Sequence, residues 1–175
     1  MAMRLPLPVK LMISYLIIVA IGAGPTFIYV RAKLQSDLLA DAASVLVVRA
    51  RRVARAIGAL STAEQATLFR ILGQTSTDRI TFLSPRGDVI SDNELGGTIA
   101  LENHSGRPEV SYAMGNTAAP RASFASAIGD AEGVGITRRV SNSNGVDNLY
   151  VALPVVGTRG ESIGVLRLAT PVGRI

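Results

Sequence analysis

The chain contains no cysteine, no tryptophan and one histidine, and phenylalanine and tyrosine are scarce, at four each. Without cysteine there is no disulfide, no thiol nucleophile and no thiolate metal site. One histidine means that a Ser-His-Asp triad or a multi-histidine metal centre would have to be built around His104 alone. So few aromatics leave little to stack nucleic-acid bases on, and no nucleic-acid partner is expected. Phosphate-cradling glycine loops are also absent. Gly96-Gly97 and Gly133-Val134-Gly135 lack the lysine and the strand-to-helix setting such loops require. No cofactor box and no metal-ligand spacing is found, so neither a cofactor nor a metal is expected. An exported hydrolase is disfavoured by the lone histidine and the missing nucleophile motif. The net charge is +5, which suits a solvated basic surface and equally a small anionic ligand.

What is present organises the chain from its N-terminus. Leu11 to Val30 carries no charge. About 20 helical residues cross a hydrocarbon core of about 30 Å. Tyr15 and Tyr29 lie towards its ends, where amphipathic rings favour the interface, and Pro25 is tolerated in a membrane helix, which it would kink. Arg4 and Lys10 precede the run and Arg31 and Lys33 follow it, so charge gives no clean orientation. The short basic tail before it favours an N-terminus in the cytoplasm. A cleaved signal peptide is the competing reading, and the apolar run continuing through Phe27 to Val30 argues against it. Either way, the remaining residues lie outside the cytoplasm. An exported domain without cysteine suits a bacterial envelope.

From Arg31 to Leu60 there is no proline, and glycine first appears at Gly58. Leu39, Leu46, Val53 and Leu60 recur every seven residues, with Ala43, Ala50 and Ile57 beside them. This is a heptad seam on one long helix. It packs either against a second copy, giving a homodimer, or against its own domain. Arg49, Arg51, Arg52 and Arg55 read as a solvated face, with a ligand or partner site as the sharper alternative. Ser61-Thr62-Ala63-Glu64 is a capping box opening a second, short helix, which Gly73 is expected to close.

At Asp78 the period changes to that of strands. Arg79–Leu83 and Val89–Ser91 flank the turn Ser84-Pro85-Arg86-Gly87-Asp88. A helical insert follows from Asn93 to Gly133. Its clearest helix is Arg107–Met114, opened by Pro108 and ended by Gly115, with a further turn expected at Ser123–Ile128. Three strands close the chain: Gly135–Val140, Asn148–Pro154 and Ser162–Thr170. The expected fold is α+β: an N-terminal transmembrane helix continuing into a long helix, then a PAS-like five-stranded antiparallel sheet with helices on one side. The expected segments are a tail at 1–10, the span at 11–30, a helical hairpin at 31–76 and a sensor domain at 77–172.

Several stretches resemble extracytoplasmic PAS-like (PDC/Cache-type) sensor domains of bacterial transmembrane sensor histidine kinases of the phosphate-regulon and cell-wall sensor type. They are the strand-turn-strand Asp78 to Asp92, the segment Leu101-Glu102-Asn103-His104-Ser105-Gly106-Arg107-Pro108-Glu109-Val110, and the strand pair Leu149–Pro154 with Gly164–Ala169. The resemblance implies a two-component receptor in the bacterial inner membrane. One span would lead into a periplasmic sensor, then a second span and a kinase. No second span, ATP-binding region or phosphoacceptor region is read before Ile175, so a receptor fragment or truncated sensor without its own catalytic core is expected. The same geometry serves a chemoreceptor or a cyclic-dinucleotide enzyme, and an empty domain serving as a protein-interaction module is the alternative of another class.

Ligand-site candidates are His104, Arg107, Arg121, Arg138 and Tyr150, facing a pocket between insert and sheet. Arginine offers a planar fork for carboxylate or phosphate. Arg138 and Arg139 point to opposite faces of their strand, so at most one of them enters the pocket. The bland reading has Glu102, Asn103 and His104 satisfying backbone groups of the insert, with one of the two arginines in solvent and the other paired to an acid. His104 is followed at once by Gly106 and Pro108, which excludes it from the long helix a phosphoacceptor histidine needs.

Overall fold

The computed structural model describes residues 6–94, 103–116, 118, 133–141 and 145–174. Helix α1 spans Leu7–Ala59 and runs unbroken through Pro25. It contains a stretch long and apolar enough to cross a membrane. The chain divides into two compact units, Met1–Leu38 and Leu39–Ile175. The first is helix with its apolar side chains exposed, Leu11, Leu16, Ile18, Phe27 and Ile28 among them. In water that surface has no counterpart, whereas in lipid it is the ordinary surface of a spanning helix.

The second unit holds the rest of α1, α2 (Thr62–Thr75), α3 (Pro108–Ala113) and five strands. The strands are β1 (Arg79–Leu83), β2 (Val89–Asp92), β3 (Gly135–Val140), β4 (Asp147–Val156) and β5 (Ser162–Pro171). They form one antiparallel sheet in the order β2-β1-β5-β4-β3. The two halves of the chain's strands, β1-β2 and β3-β4-β5, therefore meet at the β1-β5 pair, with Thr81 opposite Arg167 and Phe82 opposite Leu166.

Alternation divides the sheet into two faces. Ile80, Phe82, Ile136, Leu149, Val151, Leu153, Val155, Leu166 and Leu168 join Leu39, Ala43, Leu46, Val47, Ala50, Ala54 and Ile57 of α1 and Phe69 of α2 in one core. Phe69 stacks on Phe82 with ring centroids 6.5 Å apart. The heptad seam is thus internal. Leu39 and Leu46 are buried and Val53 is partly buried against the chain's own sheet. The sheet needed a cover for its apolar face, and the small residues Ala43 and Ala50 let the helix backbone approach it.

The helical layer expected on one side is α1 with α2, and α3 of the insert covers the opposite face. There it packs Val110 and Ala113 on Leu83, Ala152 and Val165. The capping box forms: Glu64 accepts from the Ser61 amide at 2.8 Å and hydroxyl at 2.6 Å. Gly73 does not end α2, which continues to Thr75 and is capped where the Ser76 amide donates to the Leu72 carbonyl. Its role is proximity, since a Cβ at Gly73 would lie 2.6 Å from the Asn93 carbonyl oxygen. Gly87 occupies the left-handed position of the β1-β2 turn, at φ 90°. The expected turn of helix at Ser123–Ile128 lies outside the described residues.

Candidate functional site: a buried guanidinium pair beneath helix α3

Strands β3, β4 and β5 present polar residues towards α3. The row Gly135, Ala152, Arg167 crosses the sheet through cross-strand pairs, and Thr137, Tyr150, Ala169 form the next row. Small side chains in the first row make room for the helix. A Cβ at Gly135 would overlap the Glu109 carbonyl oxygen and lie 2.7 Å from its carbonyl carbon, so α3 rests directly on the β3 backbone.

That approach drives Glu109 into the sheet, where it is completely buried. Its Oε1 accepts from Arg139 Nη2 and from Arg167 Nε, both at 3.1 Å. Its Oε2 accepts from the Thr137 hydroxyl at 2.8 Å. Both guanidinium groups lie over the Tyr150 ring, Arg139 at 4.2 Å and Arg167 at 4.5 Å from its centroid. The ring face is the negative part of its quadrupole, so it favours two cations there. The Tyr150 hydroxyl is 3.5 Å from Asn148 Nδ2. His104, just before α3, places Nδ1 at 3.4 Å from Arg167 Nη1.

Burial pushes the Glu109 carboxyl up, but Arg167 and Arg139 together outweigh burial, and the group sits below its ordinary range. It is a carboxylate at neutral pH. Burial pulls Arg167 down, with Glu109 and Tyr150 opposing. An arginine starts so far above neutrality that it stays charged. Among the described residues the cluster holds two guanidiniums and one carboxylate. Arg139 Nε is buried and has no hydrogen-bond partner.

Of the residues expected at a ligand site, His104 and Tyr150 are brought together here. Arg107 is the N-cap residue of α3 and half-buried. Arg138 turns to the other face and pairs with Asp147 through contacts of 2.7 and 3.0 Å, exposed. Its neighbour Arg139 enters the cluster instead. Arg121 lies outside the described residues. Glu109, Arg167 and Thr137 were missed, and of the two neighbouring arginines Arg138 was preferred to Arg139. The signal for Arg139 was parity: Arg138 shares its face with Ile136, an obvious core residue. For Arg167 it was a lone charge inside Val165-Leu166-Arg167-Leu168-Ala169, because a charge in a buried strand requires a partner.

No protein-family model matches the sequence, and no curated protein matches it. Among solved structures, the chain is similar to the ligand-binding domain of the Pseudomonas aeruginosa PAO1 amino acid chemoreceptor PctC in complex with GABA. The TM-score is 0.57 at 15% identity, over 85% of this chain and 62% of that one. The chain thus spans under two thirds of that domain's length. What this likeness shows is the fold. The chain shares with that domain a long helix packed on one face of a five-stranded antiparallel sheet. A second similar structure is the V. cholerae histidine kinase DctB sensor domain, with a TM-score of 0.44 at 16% identity, over 63% of this chain and 39% of that one.

Proposed function

We propose that the chain is the membrane-anchored, extracytoplasmic ligand-sensing region of a bacterial two-component sensor histidine kinase. The apolar run of α1 serves as its span in the inner membrane, with the residues after it on the outer side. Segments 1–10, 11–30, 31–76 and 77–172 are then tail, span, helical hairpin and sensor. The ligand is a small anion, received on the α3 face of the sheet. A chemoreceptor or a cyclic-dinucleotide enzyme uses the same arrangement with a different output.

One observation carries the reading: strand β5 touches both ends of a sensing relay. Arg167 faces the guanidinium cluster, while Leu166 and Leu168, its neighbours on the other face, pack in the core with α1. Three residues on, Thr170 donates to Asp78 at 2.5 Å, and Asp78 accepts from Arg49 of α1 at 3.0 Å. A change in what Arg167 holds therefore reaches α1 through one strand, and α1 is the same helix that carries the apolar run. Small displacements between two packed arrangements are the usual currency of such switches.

The test is a thermal-shift screen of the full chain in lipid nanodiscs, against phosphate, carboxylates, amino acids, metals and a pH series. Binding to the folded state raises the melting temperature by mass action. A saturable rise lost on Arg139→Lys supports sensing at this face. A second reading, a protein-interaction module whose ligand face is permanently filled, is favoured by the completely buried Glu109 carboxylate already seated on both arginines. A screen with no shift supports that reading instead.

A further inference from the structure

The way Glu109 sits on the two arginines is incomplete in three respects. Its Oε1 is shared by both guanidiniums, with one contact from each. Arg139 Nε, the second prong of its fork, is buried and without a partner. The described cluster carries two positive charges against one negative. A carboxylate free of the helix backbone can turn to meet Nε and Nη2 of Arg139 together, the two-pronged geometry guanidinium groups favour. Glu109, held by α3 and by Thr137, does not reach it.

We propose that Arg139, Arg167 and Tyr150 form a carboxylate-binding site that Glu109 fills from within, and that the ligand sensed on this face is a small molecule whose carboxylate takes the place of Glu109. This rests on the ligand-sensing reading above and names its ligand class. Glu109 is then an internal occupant: it keeps the guanidinium pair neutralised and α3 seated while no ligand is present. Displacing it exchanges one carboxylate for another at the arginines and removes the bond between α3 and the sheet. The apolar contacts of Val110 and Ala113 remain to hold the helix near. Tyr150 keeps both guanidiniums in place during the exchange, because its ring contacts do not depend on which carboxylate is bound.

The experiment is rescue by acetate at constant ionic strength, in the full chain in nanodiscs. Glu109→Ala empties the position, and Glu109→Gln keeps its size without its charge, so that one variant folds if the other does not. Acetate at about tenfold its Kd is expected to raise the melting temperature of the folded variant by about 4–7 °C. Chloride at the same ionic strength should not, and adding Arg139→Ala to the same variant should abolish the effect. In wild type, a carboxylate that binds should speed hydrogen exchange of the α3 amides from Ser111 to Met114 and leave α2 unchanged. If neither variant responds to acetate while wild type still binds a ligand from the screen, the sensor reading stands and this inference falls. If the variants respond but wild type binds no carboxylate at any concentration up to that saturating the variants, Glu109 is a fixed strut and the exchange is overturned.

Discussion

Replacing Glu109 by glutamine tests the cluster most sharply as a piece of structure. The substitution keeps the volume and one carbonyl acceptor, enough for the Thr137 hydroxyl. It removes the charge that two guanidiniums share at 3.1 Å. Taking one partner from a buried ion pair costs about 3–5 kcal/mol, because the other charge is left uncompensated. Here the cost is tempered, since the Arg139 side chain is 22% exposed and can find water. Arg167 is 8% exposed and cannot. We expect a loss of about 2–4 kcal/mol, a drop in melting temperature of about 6–15 °C for a domain this size. The pH dependence follows from the direction of the Glu109 shift. A depressed carboxyl contributes stability above its unfolded value of about 4.3 and loses it as pH falls through the folded value. The groups facing it are Thr137 and Arg139 on β3, Tyr150 on β4, Arg167 on β5, and His104 beyond Arg167. None of these is a second carboxylate, and His104 is common to both proteins, so the difference between wild type and Glu109→Gln reports the Glu109 carboxylate. Between pH 7 and pH 3, circular-dichroism melts of wild type and Glu109→Gln should therefore show a difference that is constant above about pH 4.3 and shrinks below it. A difference below about 2 °C at pH 7, or one that persists unchanged to pH 3, would refute the reasoning.

Three further outcomes are expected. Gly135→Ala should lift α3 from β3, lowering the melting temperature and raising protease cleavage near Gly115, because a Cβ there would overlap the Glu109 carbonyl oxygen. Arg138→Ala should cost under about 1 kcal/mol and leave ligand response intact, since its Asp147 pair is exposed; an Arg138→Ala variant as damaged as Arg139→Ala would contradict the assignment of faces. Leu46→Ala should destabilise the domain by about 2–4 kcal/mol in denaturant melts with no change in oligomeric state, because Leu46 packs in the chain's own core.

Much of this architecture could be read from residue patterns. Strand alternation in Leu149–Leu153, the Pro85-Arg86-Gly87 turn and Pro108 before a short helix are local signals, and each element stands where its pattern placed it. The long-range pairings were less legible. The seven-residue repeat of Leu39, Leu46 and Val53 marks an apolar face but not what covers it. Gly73 looks like a helix terminator because glycine serves both caps and close approaches, and the Asn93 carbonyl that decides between them is remote in sequence. At the site, His104 was visible as a polar residue just before a short helix, and Tyr150 as a polar ring in an otherwise apolar strand. Glu109 was not, because an acid in the first turn of a helix has an ordinary explanation in the helix dipole. Only the descent of α3 onto Gly135 turns that side chain inward and sets it against arginines 30 and 58 positions away.

The measurement bearing most directly on the central claim is calorimetric titration of the nanodisc-held chain with the ligands that shift its melting temperature, in wild type and in Arg139→Lys. The account predicts a saturable heat in wild type that is weakened at least tenfold in Arg139→Lys, with Arg138→Ala as the unaffected control. Equal binding in wild type and Arg139→Lys, or loss of binding in Arg138→Ala alone, would place sensing elsewhere and contradict it.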